Sequence, residues 1–341
     1  MRPHINITPC LCLCTIAILA GCGGGDRTAD AFRVALLTPG PISDAGWNAG
    51  AYEGLLRIRD SLGAEVSHVE TKTPAEFEEA FRDYARRGYR LVFGHGFEFQ
   101  DAAARVGADY PGTVFITTSG ATVRPNVSPM VFELEQATYL AGMLAGGISR
   151  TGRVGFVGGI RMPPVEGTYL GFAGGVRAVR PDGEALQAYI GNFEDVAAAK
   201  ENALAQIRRG ADVLIHNADA ASFGVFQAVR ETPGALAIGA NKDQNVVAPD
   251  VIVASAILDV PHALLLVARA VKEGQFRPGI RFFGIREGVV DLAYNPELLD
   301  RVPPALRGRI AAARDSIIAG TLAVPRVEFV GDSVPVAGRA P

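Results

Sequence analysis

Residues 32–48 read Phe32-Arg33-Val34-Ala35-Leu36-Leu37-Thr38-Pro39-Gly40-Pro41-Ile42-Ser43-Asp44-Ala45-Gly46-Trp47-Asn48. The opening run is short and apolar apart from Arg33, as a strand buried on both faces requires, and the prolines and glycine that follow break it. From Asn48 to Leu62 apolar residues recur at helical spacing. The same unit then repeats. Glu65–Val69 reads as a strand, Pro74–Arg87 as a helix with proline in its first turn, Leu91–Phe93 as a strand, Gln100–Ala108 as a helix and Val114–Thr117 as a strand. This alternation implies a mostly parallel sheet with helices on both faces.

A second series follows Thr151-Gly152. Strands are expected at Val154–Val157, Ala185–Ile190, Val213–Ile215 and Leu236–Ile238, separated by helices at Gly167–Val179, Ala197–Arg208 and Ser222–Arg230. The economical reading is an α/β protein of two doubly wound lobes joined by a hinge. The stretch from Val251 carries too few signals for a third domain, so it is expected to cross back between lobes, with helices at Pro261–Lys272 and Pro304–Ala319. Lobe 1 then takes residues 32–134 and about 256–287, lobe 2 about 135–255 and 288–325, and 326–341 form a C-terminal tail.

Composition limits the function. Among 341 residues, 33 Lys and Arg stand against 36 Asp and Glu, a net charge of −3, so the chain lacks the basic stripe that nucleic acid requires. With 48% hydrophobic and 20% charged residues it can build a substantial core. All four cysteines, Cys10, Cys12, Cys14 and Cys22, fall within the first 22 residues, which excludes a disulfide framework or cysteine zinc site in the body. Ile5–Ala20 is apolar yet short for a bilayer span, as in a signal peptide. It ends in Leu19-Ala20-Gly21-Cys22, which resembles the bacterial lipobox. The expectation is a leader over 1–21, a lipidated Cys22 and a flexible glycine-rich tether over 22–31, placing a monomeric body outside the cytoplasm beside a membrane.

Ligands of open parallel sheets bind beyond the carboxyl ends of the strands. Those loops carry Asp44, Trp47 and Asn48, then Gly94-His95-Gly96-Phe97-Glu98-Phe99, and in the second lobe Gly191-Asn192-Phe193-Glu194-Asp195, His216-Asn217-Ala218-Asp219 and Gly239-Ala240-Asn241-Lys242-Asp243-Gln244. Rings, amides and carboxylates without cationic clusters suit a flat, neutral, hydrogen-bonding ligand and not a polyphosphate. Asp44 can also cap the helix that starts near Trp47. Enzyme signals are weak. His68, His95, His216 and His262 are not paired at metal-ligand spacing, and neither a nucleophile elbow nor a Walker A run occurs, so no catalytic residue, metal or cofactor is expected.

Taken together, these loops resemble the basic membrane protein family, substrate-binding lipoproteins related to the purine nucleoside receptor of spirochetes. The stretches that carry the resemblance are Asp44–Asn48, Gly94–Ala102, Tyr139–Gly146, Gly152–Gly159, Gly191–Asp195 and Lys242–Gln244, in family order over roughly 32–292. The resemblance implies the type I periplasmic binding protein fold. It also implies capture of a purine base or nucleoside for an ABC permease and ATPase, the purine held between aromatic rings. Trp47 and Phe193 match the family's stacking aromatics. Asp44, Asn48, Phe97, Asp219 and Asn241 complete the expected ligand set, with Asp219 as an acceptor for base N–H groups. At three places the chain departs from nucleoside-binding relatives. Thr38-Pro39-Gly40 replaces an acid after the first strand, Asn241 replaces another, and Ala256-Ile257-Leu258 stands where a lysine often follows Ser255. Loss of acids that grip ribose hydroxyls points to a free purine base or another flat heterocycle. The alternative is a ligand-sensing or adhesive surface lipoprotein not coupled to transport.

Overall fold

The computed structural model describes Met1 and residues 31–44 and 46–327. The expected leader beyond Met1, Cys22, nearly all of the 22–31 tether and most of the 326–341 tail lie outside the described residues. Every element below lies within the unit Phe32–Pro341.

The chain runs β1 (Arg33–Thr38), α1 (Trp47–Leu62), β2 (Glu65–Glu70), α2 (Pro74–Arg86), β3 (Leu91–Gly94), α3 (Gln100–Gly107), β4 (Val114–Thr118) and β5 (Val127–Phe132). It continues through α4 (Leu134–Ile148), β6 (Arg153–Gly158), α5 (Pro163–Val179), β7 (Glu184–Tyr189), α6 (Val196–Arg208), β8 (Val213–Asn217), α7 (Ser222–Arg230), β9 (Leu236–Asn241) and β10 (Ile252–Leu258). Last come α8 (Val260–Lys272), β11 (Arg281–Phe283), β12 (Val290–Tyr294) and α9 (Pro304–Ala319).

Two six-stranded sheets result, ordered β2-β1-β3-β4-β5-β11 and β7-β6-β8-β9-β10-β12. Every pairing is parallel except β12 on β10. The chain therefore passes between sheets after β5, after β10 and after β11. In inner strands such as β1 and β8, alternate residues enter different cores, as a sheet covered on both faces demands. Val34 and Leu36 face the core under α1 and α8, while Ala35 and Leu37 face the aromatic core of Phe77, Phe81, Phe99 and Phe115 under α2 and α3.

Local chemistry sets the ends of these elements. Thr73 and Glu76 form a reciprocal capping box at the start of α2, with Pro74 in its first turn. α5 begins at Pro163, four residues before its expected start at Gly167, because its two prolines sit where helix amides are unpaired anyway. α4 gave no helical period in the sequence because it is buried nearly all round, from Leu134 to Gly146. β5 was hidden by Pro129, which normally marks an edge or an interruption.

In both sheets the strand order reverses beside the first strand of the series, between β1 and β3 and between β6 and β8. Loops leaving those strands diverge there and open a crevice. The two crevices supply the walls of the cavity described next.

Candidate functional site

The loop from β1 into α1 is held by a buried carboxylate. Asp44 accepts from the amides of Asn48 through Oδ2 at 2.7 Å and of Gly46 and Ala49 through Oδ1 at 3.0 and 2.9 Å, so the start of α1 is capped by a residue upstream of it. This fixes Trp47. Its indole Nε1 donates to the His95 carbonyl at 3.3 Å, and His95 Nε2 donates to the Trp47 carbonyl at 3.0 Å. The two rings stack with centroids 4.0 Å apart, and His95 Nδ1 accepts from the Thr118 hydroxyl at 3.0 Å. Burial pushes the His95 imidazole down to about 3, so it stays neutral and serves as a backing plate for the indole.

A cavity of about 630 Å³, counting its open mouth, lies in front of Trp47. The first lobe lines it with Pro39, Trp47, Gly96, Phe97, Glu98, Ser119 and Phe132, and the second with Met162, Pro164, Val165, Thr168, Phe193, Asn217, Asp219 and Asn241. Leu134 and Leu258 line it where the chain passes between sheets. Its size and mixture of rings with a few polar groups suit a small organic ligand. Phe193 is placed by two contacts. Its carbonyl accepts from the Ala221 amide at 3.0 Å, and its ring lies where any side chain at Gly159 would stand.

The polar wall is one directed chain. Asn241 Nδ2 donates to Asp219 Oδ1 at 3.1 Å and to Asn217 Oδ1 at 3.3 Å; Asn217 Nδ2 donates to Thr168 Oγ1 at 3.1 Å, whose hydroxyl donates to the Val165 carbonyl at 2.7 Å. Burial first, then the charges of Asp44 and Glu98, raises the Asp219 carboxyl well above the ordinary range, partly offset by the bond from Asn241. Burial also raises Glu98. Ser119, Asp219 and Asn241, with φ of 85°, 43° and 67°, are the non-glycine residues of left-handed backbone among the described residues, and all three line this cavity. Such backbone costs of order 1 kcal/mol each and persists where surrounding structure imposes it.

Five sequence-derived candidates, Trp47, Phe97, Phe193, Asp219 and Asn241, thus share one cavity. Asp44 and Asn48 are not among its lining residues. Asp44 is engaged by backbone amides, and Asn48 is buried beside Gly40 with its Oδ1 lacking a hydrogen-bond partner among the described residues. Glu98, Ser119, Phe132, Thr168 and Asn217 line the cavity without having been singled out. Glu98 and Asn217 stand in loops recognised as functional, and their own placement was the missing step. All three departures from the family pattern also fall on the wall, as Pro39, Asn241 and Leu258.

Ion pairs also join the lobes. Lys72, after β2, bonds Glu70 at 3.2 Å and Glu194 at 3.4 Å, and Lys242, after β9, bonds Glu53 of α1.

Over residues 31–328 the chain matches the Bmp family, described as ABC transporter substrate-binding protein PnrA-like. The chain belongs to this family. Members are substrate-binding proteins and not enzymes, and they work outside the cytoplasm with an ABC permease. Among relatives, the transcriptional activator protein med of Bacillus subtilis is 28% identical, the match covering 84% of this chain and 89% of that one. The ABC transporter nucleoside-binding protein BmpA of Lactococcus lactis is 25% identical over 95% and 99% of the two chains. A solute-binding protein of an ABC transporter system from Aeropyrum pernix superposes with a TM-score of 0.80 at 24% identity, covering 87% and 94%. The two lobes are those of the type I periplasmic binding fold. Among the described residues, no helix is long and apolar enough to cross a membrane.

Proposed function

We propose that this Bmp-family protein captures a purine base or purine nucleoside between its lobes and delivers it to an ABC permease and ATPase. Lobe 1, residues 32–134 and about 256–287, and lobe 2, about 135–255 and 288–325, close on the ligand about the three chain crossings, as a monomer. Cys22 carries the lipid anchor. The observation that carries the reading is the convergence on one cavity of Trp47 and Phe97 from one lobe with Phe193, Asp219 and Asn241 from the other. A ligand touching both walls favours the closed arrangement by its differential contacts. Rings on both sides supply stacking for a flat base, worth about 0.5–1.5 kcal/mol per ring pair beyond area burial. The relative named as nucleoside-binding supports the ligand class. Pro39, Asn241 and Leu258, uncharged where nucleoside-binding relatives carry two acids and often a lysine, support a free base over a nucleoside.

The test is mass spectrometry of small molecules that copurify with residues 23–341, followed by calorimetric titration with purine bases and nucleosides. A purine in the wild type that is absent from Trp47→Ala supports the reading. Failure of every purine to bind refutes it, and nucleosides binding far more tightly than bases would remove the preference for a free base.

A further inference from the structure

The polar wall of the cavity is unequal in what it can offer. Both protons of the Asn241 amide are spent inside the protein, on Asp219 and Asn217, and the Thr168 hydroxyl proton is spent on the Val165 carbonyl. One Asn217 proton is spent on Thr168. On the accepting side, Asp219 is 8% exposed, lines the cavity and uses only Oδ1 in a protein hydrogen bond, leaving Oδ2 without a partner among the described residues. Glu98 lines the same space with its carboxyl folded over Gly96, where even a methyl group would press on Oε1 at 2.8 Å. No lysine, arginine or histidine is among the lining residues. The wall therefore presents carboxyl oxygens to the cavity with no side-chain cation among its lining residues.

A carboxylate oxygen that faces the cavity without a protein donor favours a ligand that brings hydrogens to it. Among flat heterocycles this favours an edge with adjacent N–H groups over one that alternates donor and acceptor. A carboxylate binds two parallel N–H donors in the same plane, and an analogue that lacks one of them leaves a buried acceptor unpaired. Resting on the purine-capture reading above, we propose that Asp219, backed by Glu98, selects a 2-amino-6-oxopurine by accepting from its N1–H and exocyclic 2-amino group. Asn241 is the positioning residue: its bond to Oδ1 fixes the carboxylate, whose Oδ2 and remaining Oδ1 lone pair accept the two ligand donors. Burial first, then the charges of Asp44 and Glu98, make the ionised form of Asp219 costly in the empty cavity, and N–H donors from a ligand would offset that cost.

The experiment measures Kd for guanosine and inosine, and for guanine and hypoxanthine, on wild type, Asp219→Asn and Glu98→Gln at pH 7.5. The members of each pair differ only in the 2-amino group. The expected result is at least tenfold tighter binding of the 2-amino member by wild type, a ratio that falls to within about threefold in Asp219→Asn and falls part-way in Glu98→Gln. Because the ratio is read within one protein, a loss of stability in a variant does not imitate the effect. Equal affinity for both members in wild type, or a ratio unchanged in Asp219→Asn, overturns the proposal while leaving purine capture standing. If no purine binds at all, it is purine capture that fails, and this selection falls with it.

Discussion

The packing of α4 on α5 sets opposite expectations for one chemical change at two glycines. A Cβ at Gly175 would collide with the carbonyl oxygen of Tyr139 on α4 and lie 2.8 Å from the Met143 amide nitrogen. The obstacle is helix backbone, which cannot rotate away, so the helices must part locally by roughly 1.5 Å to reach ordinary contact. Parting them strips packing from Leu140, Leu144, Phe172 and Val176, all fully buried. Overpacking of this kind costs about 3 kcal/mol, against a gain of about 1 kcal/mol from replacing a helical glycine by alanine, for a net loss near 2 kcal/mol. At Gly308 in α9, an added Cβ meets nothing within 4 Å, so only the gain remains. With about 2–4 °C per kcal/mol, Gly175→Ala should melt about 4–8 °C below wild type and Gly308→Ala about 2–4 °C above it. Differential scanning calorimetry at one protein concentration reads both. Gly175→Ala should also weaken ligand binding, because the first turns of α5 carry Pro164, Val165 and Thr168 into the cavity wall. A Gly175→Ala protein melting at or above wild type would refute the argument.

Trp47 is the chain's only tryptophan, so its fluorescence should respond to a purine entering the cavity, and Trp47→Ala should raise Kd at least tenfold by calorimetry. His95 is held neutral with a pKa of about 3, whereas the unfolded imidazole takes a proton below about 6.5. Acidification through that window therefore favours unfolding, by about 2 kcal/mol from this residue between pH 7 and pH 5. Urea midpoints at the two pH values should differ less in His95→Gln than in wild type, and equal differences would contradict the assignment. The ion pairs of Lys72 with Glu194 and of Lys242 with Glu53 are solvent-exposed, so salt screens them and they add little to the contact between lobes. Lys72→Ala combined with Lys242→Ala should weaken ligand binding up to about fivefold at low salt and have little effect at 1 M NaCl.

Much of the fold was legible because its elements keep strong local signals. β1, β3, β4, β6, β8 and β9 are short, largely apolar runs bounded by turns, the edge strands β2 and β7 mix apolar with polar residues, and α2 announces itself with Thr73, Pro74 and Glu76. α4 and β5 were illegible for opposite reasons. α4 is apolar on every side and so has no period to read, while β5 carries a proline that its position between β4 and β11 tolerates. β11 and β12 are short pieces whose partners lie about 150 residues away and about 40 residues away, and no local pattern encodes such pairings. In the site, the rings and Asp219 could be read from loop composition. The depth of Asp44 and Asn48 could not, because whether an acid faces a ligand or a helix end depends on the turn between them. The balance of donors and acceptors also needed coordinates, since it arises from where Asn241 directs its two protons.

The three chain crossings also govern how the molecule can be made. The first sheet lacks its edge strand until Arg281–Phe283 has been synthesised, and the second lacks its own until Val290–Tyr294 follows. Neither sheet can be cut out as one continuous fragment, and a nascent chain stopped before residue 281 exposes the open edge of β5. Such long-range closures are slow to form, so the last sixth of the polypeptide completes both halves almost together.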